Sequence, residues 1–339
     1  MIEMLKTLSN LDGISGREDA VRAYILEQIK KSPAQMQTQV DALGNIICKI
    51  SGKARADKHI MLAAHMDEVG FIITDITDDG YLRFATVGGI DPSVICGKRV
   101  KIGENKGVIG CKAVHLCNEK EKDTLLKPEN LLIDIGVSSK AEAQKLVKIG
   151  DSAVFDTTAA GMQDLLIGKA FDDRVGCALL LELLKEIPPY DVTFVFTVQE
   201  EVGLRGAGVA AFAVQPDMAI VIDATTAADT ADTETHNQVC KIDNGPVVSF
   251  MDKATLYDAE VYQKIRALAD AASIPNQTKT VIAGGNDAGA IQKAASGVRV
   301  AAVSLPCRYI HSPNTVISQS DMQHTKALLQ RILQEFGHD

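Results

Sequence analysis

The spacing of apolar positions changes twice along the 339-residue chain, dividing it into three stretches of different character. In the first, up to about residue 73, helical spacing alternates with short apolar runs. Ser15 is expected to cap a helix through Val21, Tyr24, Ile25 and Ile29, with Glu18 three residues on as the reciprocal capping partner. Residues 45–50 and 59–64 read as short apolar strands.

Between residues 74 and 168 the runs shorten and alternate. Tyr81-Leu82-Arg83-Phe84, Arg99-Val100-Lys101-Ile102, Gly107-Val108-Ile109-Gly110 and the run 131–135 are separated by Gly, Asp, Asn and Pro. This pattern predicts a small β-rich domain set into the first, with one short helix over 139–147.

Beyond residue 168 the mixture of helical spacing and apolar runs resumes. Helices are predicted over 175–187, 204–214, 254–271 and 320–336, and strands over 192–198, 218–222 and 298–305. Strands alternating with helices imply an α/β fold with a largely parallel sheet covered on both sides. The expected organisation is one domain from residues 1–73 and 169–339, interrupted by the β-rich domain 74–168.

Composition narrows the function classes. With 46% hydrophobic residues the chain can bury a full core, and a net charge of -9 leaves no basic footprint for nucleic acid or an anionic membrane surface. The seven cysteines are odd in number and scattered, without a Cys-x-x-Cys pair, so reduced and mostly buried thiols are expected rather than disulfides or a thiolate zinc site. The opening residues lack the apolar core of a signal peptide, and no run approaches the ~20 apolar residues of a spanning helix. A cytoplasmic protein is expected.

Several predicted strands end in residues that can bind metal, at the strand ends where ligands collect in open α/β sheets. The strand 59–64 leads into His65-Met66-Asp67, 192–198 into Gln199-Glu200-Glu201, 218–222 into Asp223, and 298–305 into Arg308-Tyr309-Ile310-His311. Asp172 opens the helix beginning near Val175, where the helix dipole favours a carboxylate. Each alone has an ordinary reading, as a surface histidine, a helix cap or surface charge. Together, two imidazoles and several carboxylates without thiolates suit zinc, cobalt or manganese. Spacing two apart on an extended segment lets His65 be a ligand while Asp67 orients its second ring nitrogen. Adjacent Glu200 and Glu201 point apart, so one can bind metal while the other handles a proton.

Other candidates carry less. His59, His115, His236, His324 and His338 lack a carboxylate constellation and read as surface residues. Gly203-Leu204-Arg205-Gly206-Ala207-Gly208 lacks the context of a phosphate loop, and Cys307 reads as packing rather than as a nucleophile.

The motifs Gly168-Lys169-Ala170-Phe171-Asp172-Asp173-Arg174-Val175-Gly176, Val198-Gln199-Glu200-Glu201-Val202-Gly203, Asp223-Ala224-Thr225-Thr226-Ala227 and Pro306-Cys307-Arg308-Tyr309-Ile310-His311-Ser312-Pro313 together resemble the glutamyl and deblocking aminopeptidase family, which includes the tetrahedral TET-type enzymes. The resemblance covers most of the chain. It implies a phosphorylase-like three-layer α/β/α catalytic domain and an inserted PDZ-like or barrel domain that mediates dimers and twelve-subunit tetrahedral shells. It further implies two divalent metal ions per subunit, with Asp172 bridging, His65 and Asp223 completing one site, Glu201 and His311 the other, Glu200 as general base and Asp67 orienting. The implied substrates are peptides with a free N-terminus. The rival readings are a related two-metal deacylase or carboxypeptidase, an endoglucanase, which needs a carboxylate pair not spent on metals, and an inactive shell-forming protein.

Overall fold

The wholly apolar runs of the chain end up in the middle of a large mixed sheet, as strands buried on both faces must. The protein is described by a computed structural model covering residues 1–117, 127–231 and 233–337. The first strands are β1 (Met36–Val40), β2 (Ile46–Ile50) and β3 (Ile60–His65). Six more, β4 (Gly70–Ile76), β5 (Leu82–Val87), β6 (Arg99–Ile102), β7 (Asn105–Gly110), β8 (Leu132–Asp134) and β9 (Ser152–Phe155), form a separate closed barrel in the order β4-β5-β8-β7-β6-β9. The large sheet then continues through β10 (Ala160–Met162), β11 (Leu165–Gly168), β12 (Val192–Thr197), β13 (Met218–Thr226), β14 (Val247–Val248), β15 (Gln277–Thr278), β16 (Arg299–Arg308) and β17 (Thr315–Ser318).

Its main path runs β1-β2-β12-β3-β13-β16-β17-β11-β10, with β14 and β15 attached beside β16. Only the centre of this path, β12-β3-β13-β16, is parallel; both flanks are antiparallel. The expectation of a largely parallel sheet is corrected accordingly. The short links between β1 and β2 and between β16 and β17 leave no room for a crossover helix, so those strands must reverse.

Eight helices lie among the described residues: α1 (Ile2–Asn10), α2 (Asp19–Ile29), α3 (Lys140–Leu146), α4 (Phe171–Leu183), α5 (Arg205–Val214), α6 (Ala259–Ala271), α7 (Ala288–Ile291) and α8 (Gln319–Glu335). The pleat of β3 divides the core between two faces. Leu62 and Ala64 join Phe194, Phe196, Ile220 and Ile222 beneath α1, α2, α4, α6 and α8, whereas Met61 and Ala63 join Val195 and Val221 beneath α5 and α7. The second face is lined by Ala207, Ala210, Ala211 and Ala288, small residues that let those helices approach closely. Each large aliphatic side chain so buried contributes about 1.5–3 kcal/mol. The barrel has its own core, in which Phe71 meets Phe84 and Phe155 edge to face at 5.2 and 5.3 Å between ring centroids. No described helix is long and apolar enough to cross a membrane.

Several boundaries differ from the sequence expectation. Ser15 does not cap α2, which starts at Asp19 behind Glu18; its hydroxyl is drawn away to Asp67. Helix α6 starts at Ala259 because Asp258 caps it by accepting from the Val261 N–H. Strand β13 runs to Thr226, paired with β16, so Asp223 lies within the strand rather than after it.

Candidate active site

The end of β3, the start of α4, the turn after β12, the middle of β13 and the turn after β16 meet at one edge of the parallel centre. They bring together all seven residues singled out from the sequence. Their cavity, of about 300 Å³, is lined by His65, Asp172, Glu200, Glu201, Asp223 and His311, with Lys279 and Asn286 on its wall. A larger cleft of about 730 Å³, lined by Lys49, Arg55, His59 and Asp217 among others, contains none of the seven.

Asp172 sits at the centre. One carboxylate oxygen lies 3.0 Å from His65 Nε2 and the other 3.1 Å from His311 Nε2. Asp223 Oδ1 is 3.9 Å from His65 Nε2, and Glu201 Oε1 is 3.2 Å from His311 Nε2. The backbone permits this because α4 begins irregularly: Asp172 (φ -80°, ψ 111°) and Asp173 (φ -116°, ψ 43°) are non-helical, so the carboxylate turns into the cavity rather than capping the helix. Each imidazole is held from behind by a carbonyl. His65 Nδ1 lies 3.2 Å from the Asp67 carbonyl oxygen, and His311 Nδ1 lies 2.8 Å from that of Gly89. A carbonyl only accepts, so Nδ1 carries the hydrogen and Nε2 faces the carboxylates.

Asp67 has a larger part than orienting one ring. Its Oδ1 lies 3.5 Å from His65 Nδ1 and accepts the Glu200 N–H at 3.0 Å, while Oδ2 accepts the Glu201 N–H at 3.1 Å and the Ser15 hydroxyl at 2.6 Å. It therefore pins the glutamate pair. That pair does not lie on an extended segment, as its place after an apolar run suggests. It lies in a turn that follows Gln199 in the left-handed region (φ 57°) and is closed by the Gly203 and Leu204 N–H groups donating to the Glu200 carbonyl.

The charges strain against one another. Burial raises the carboxyls of Asp223, Glu200 and Glu201, and neighbouring acids push them further. Burial would also raise Asp172, but the bonds from His311 and His65 outweigh it and hold Asp172 low. Burial pulls both imidazoles toward neutral, yet their carboxylate partners prevail, lifting His65 well above its usual value and His311 to about 11. Without a cation, protons on the imidazoles must offset crowded buried carboxylates. Divalent cations fit this donor set better, since they replace those protons and leave neutral imidazoles as ligands. Glu201 Oε1 is buried with the His311 ring nitrogen at 3.2 Å and no well-aligned hydrogen bond to a described residue, a donor set that a cation satisfies better.

Two overlapping triads of ligand atoms lie within 4.8 Å of one another, His65 with Asp173 and Asp223, and His65 with Asp172 and Glu201. Asp173 is the weaker candidate ligand, because its oxygens already accept the His65 N–H at 3.2 Å and the Gly176 N–H at 2.9 Å. It is nonetheless a site residue that sequence reasoning did not single out, although it lies in the Phe171–Arg174 run. Asp287, beside the site and bonded to the Thr197 hydroxyl, was also missed, as was Lys279, for which no motif gives a signal.

Of the histidines read as surface residues, His59 is half-buried and bonded to Thr193, and His324 is half-buried with no hydrogen bond from its Nδ1 to a described residue. His338 lies outside the described residues. The thiols are free and mostly buried, as expected: Cys48, Cys177, Cys240 and Cys307 are buried, whereas Cys96, Cys111 and Cys117 reach solvent.

Residues 44–328 match the model of the family described as M42 glutamyl aminopeptidase. A protein of Acetivibrio thermocellus, provisionally named an aminopeptidase, is 41% identical over 97% of this chain and 97% of its own length. The lysyl aminopeptidase of Pyrococcus furiosus is 30% identical over 98% and 96%. The solved structure of Pyrococcus horikoshii TET1 peptidase, described as able to assemble into a tetrahedron or a large octahedral shell, superposes with a TM-score of 0.85 at 34% identity, covering 98% of each chain.

Proposed function

The chain belongs to the M42 glutamyl aminopeptidase family and is a metal-dependent peptide hydrolase; from this premise we propose how its residues divide the work. Asp172 would bridge two divalent cations, with His65 and Asp223 completing one site and Glu201 and His311 the other. The observation that carries this reading is the split of the Asp172 carboxylate between two imidazoles, at 3.0 and 3.1 Å, each backed by its own acid. Zinc, cobalt or manganese suits such a set of nitrogen and oxygen donors. Bound there, the cations supply Lewis-acid polarisation of the scissile carbonyl and activation of water.

Glu200 takes the proton of the attacking water and returns it to the leaving amine. Burial and the acids around it raise its carboxyl above the ordinary range, which suits a group that must both accept and donate near neutrality. Asp67 keeps His65 and both glutamates in register. We take the catalytic domain, a three-layer α/β/α unit, as residues 1–69 and 156–339 rather than the 1–73 and 169–339 read from the sequence, since β10 and β11 pair into the large sheet and β4 opens the barrel at Gly70; the barrel, residues 70–155, is an inserted domain that joins subunits, from dimers up to a twelve-subunit tetrahedral shell.

We further infer an acidic preference at the substrate's first side chain. Lys279 lines the cavity and is 8% exposed; its backbone N–H donates to the Val248 carbonyl at 3.2 Å, while its ammonium, which acts on Asp223 only through space, makes no hydrogen bond or ion pair with a described residue and so faces a substrate carboxylate.

The test compares a peptide bearing a free N-terminus with its N-acetylated form while metal content is followed. Cleavage of only the free form, lost on stripping metal and regained on adding it, is expected. Equal cleavage of both forms would favour a deacylase or endopeptidase, and full activity after stripping would overturn the metal assignment.

A further inference from the structure

The cysteines of this chain fall into two groups. Cys48, Cys177, Cys240 and Cys307 are buried in or beside the large sheet, whereas Cys96, Cys111 and Cys117 lie on the barrel with solvent access. Within the barrel group, backbone bonding brings two together. The Gly97 N–H donates to the Ile109 carbonyl at 2.7 Å and the Ile109 N–H to the Lys98 carbonyl at 2.9 Å, so two residues of one strand oppose one of the other. That is a bulge, and Gly97 meets its backbone demand at a φ of 76°. The two strands continue to Cys96 and Cys111, whose sulfurs lie 3.3 Å apart.

We propose that Cys96 and Cys111 form a thiol–disulfide site, oxidised reversibly by low-molecular-weight disulfides of the glutathione class. The bridge ties the chain leaving β7 to the turn that enters β6. Cys111 is the more exposed of the two and meets the oxidant first. Burial and the adjacent sulfur hold the Cys96 thiol protonated, which again leaves the first attack to Cys111. The Cys111 thiolate attacks one sulfur of the oxidant, breaking its S–S bond and expelling half of it as thiolate. Cys96 then gives its proton to solvent, and its sulfur displaces the remaining half from Cys111. Two protein thiols become one disulfide, and the oxidant becomes two thiols. The sulfurs need to close to about 2.05 Å, a movement within the reach of side-chain rotation. Cys117 stands apart, its thiol donating to the carbonyls of Lys112 and Ala113 at 3.9 and 3.5 Å.

The intact protein, equilibrated with glutathione and glutathione disulfide in graded ratios, is alkylated and mapped by peptide mass. Cys96 and Cys111 should lose alkylation together, as linked peptides lighter by two hydrogens than the reduced pair, and dithiothreitol should restore both. Cys117→Ser should behave as the parent, and Cys96→Ser should instead trap a glutathione adduct on Cys111. Full alkylation of both residues across the range, glutathione adducts without a bridge in the parent, or a bridge through Cys117 each overturns the proposal.

Discussion

At the residue scale the adjacent glutamates are the sharpest test. Both N–H groups of the pair bond to the same Asp67 carboxylate, which leaves their side chains to diverge from a fixed turn. Glu200→Gln should lower turnover by about 10²–10⁴-fold with both metals retained. Glu201→Gln should weaken one metal site, and excess metal should partly restore the rate. Metal stoichiometry and turnover measured on both variants decide the assignment, and the opposite pattern reverses the roles. Lys279→Met should cut kcat/KM for a glutamyl substrate by roughly 10- to 100-fold while an alanyl substrate is little affected. Lys279→Glu should move the preference toward lysyl substrates. Unchanged selectivity in both variants, with alanyl activity intact, removes Lys279 from the specificity pocket and leaves the metal assignment standing.

At the element scale, short tertiary ties position the turns of the candidate site. The turn carrying Glu200 and Glu201 is held from behind by Asn45, whose side-chain oxygen accepts the Val198 N–H at 3.0 Å and whose amide donates to the Gly206 carbonyl at 3.0 Å. The Gly206 N–H closes the loop onto the Val198 carbonyl at 3.0 Å. A methyl group at Gly206 would lie 2.4 Å from both the Asn45 side-chain oxygen and the Val198 carbonyl. Gly206→Ala is therefore expected to cost about 1–3 kcal/mol and to slow turnover, measured by denaturant unfolding alongside peptide cleavage. Helix α4 has a separate anchor on its far side, where Glu182 faces Lys185 at 2.6 Å and Lys326 of α8 at 3.2 Å. Burial alone would raise the Glu182 carboxyl, but these lysines bring it from 4.5 down to about 2. Its contribution to stability is therefore complete above pH 4.5 and is lost as pH falls toward 2. Across that window the melting temperature of Glu182→Gln should fall less steeply than that of the parent. Parallel curves would show that the anchor contributes nothing.

At the scale of the whole molecule, the barrel is tied into the candidate site as well as being available for assembly. The Gly89 carbonyl, between β5 and β6, lies 2.8 Å from His311 Nδ1, and a methyl group on neighbouring Gly88 would press to 3.2 Å from Glu201 Cβ. Replacing the barrel, residues 70–155, by a short linker that leaves β10 and β11 in the large sheet should thus have two effects. Sedimentation should detect smaller species, and metal affinity at the His311 and Glu201 position should fall by roughly 10- to 100-fold, since an outer partner that fixes the ring is gone. Loss of assembly with undiminished metal binding would confine the barrel to joining subunits.

Much of the element content was legible because period and burial are local properties. The apolar run that became β12 could only be an interior strand, the short helix expected over 139–147 forms over Lys140–Leu146, and the strand ends displayed acids and histidines where an α/β sheet collects ligands. Other features depended on contacts between segments far apart in sequence. Ser15 is 52 positions from Asp67, and their hydrogen bond, rather than local capping preference, decides what Ser15 does. Asp223 looks like the end of a strand until pairing with β16 extends that strand past it. Lys279 and Gly89 belong to no recognisable motif, yet packing places one on the cavity wall and the other behind His311. Residue type and periodicity thus determined which groups could take part in catalysis and which elements would carry them. Only the tertiary structure decided which oxygen faces which nitrogen, because a hydrogen bond is selective over tenths of an ångström and chain spacing does not specify position on that scale.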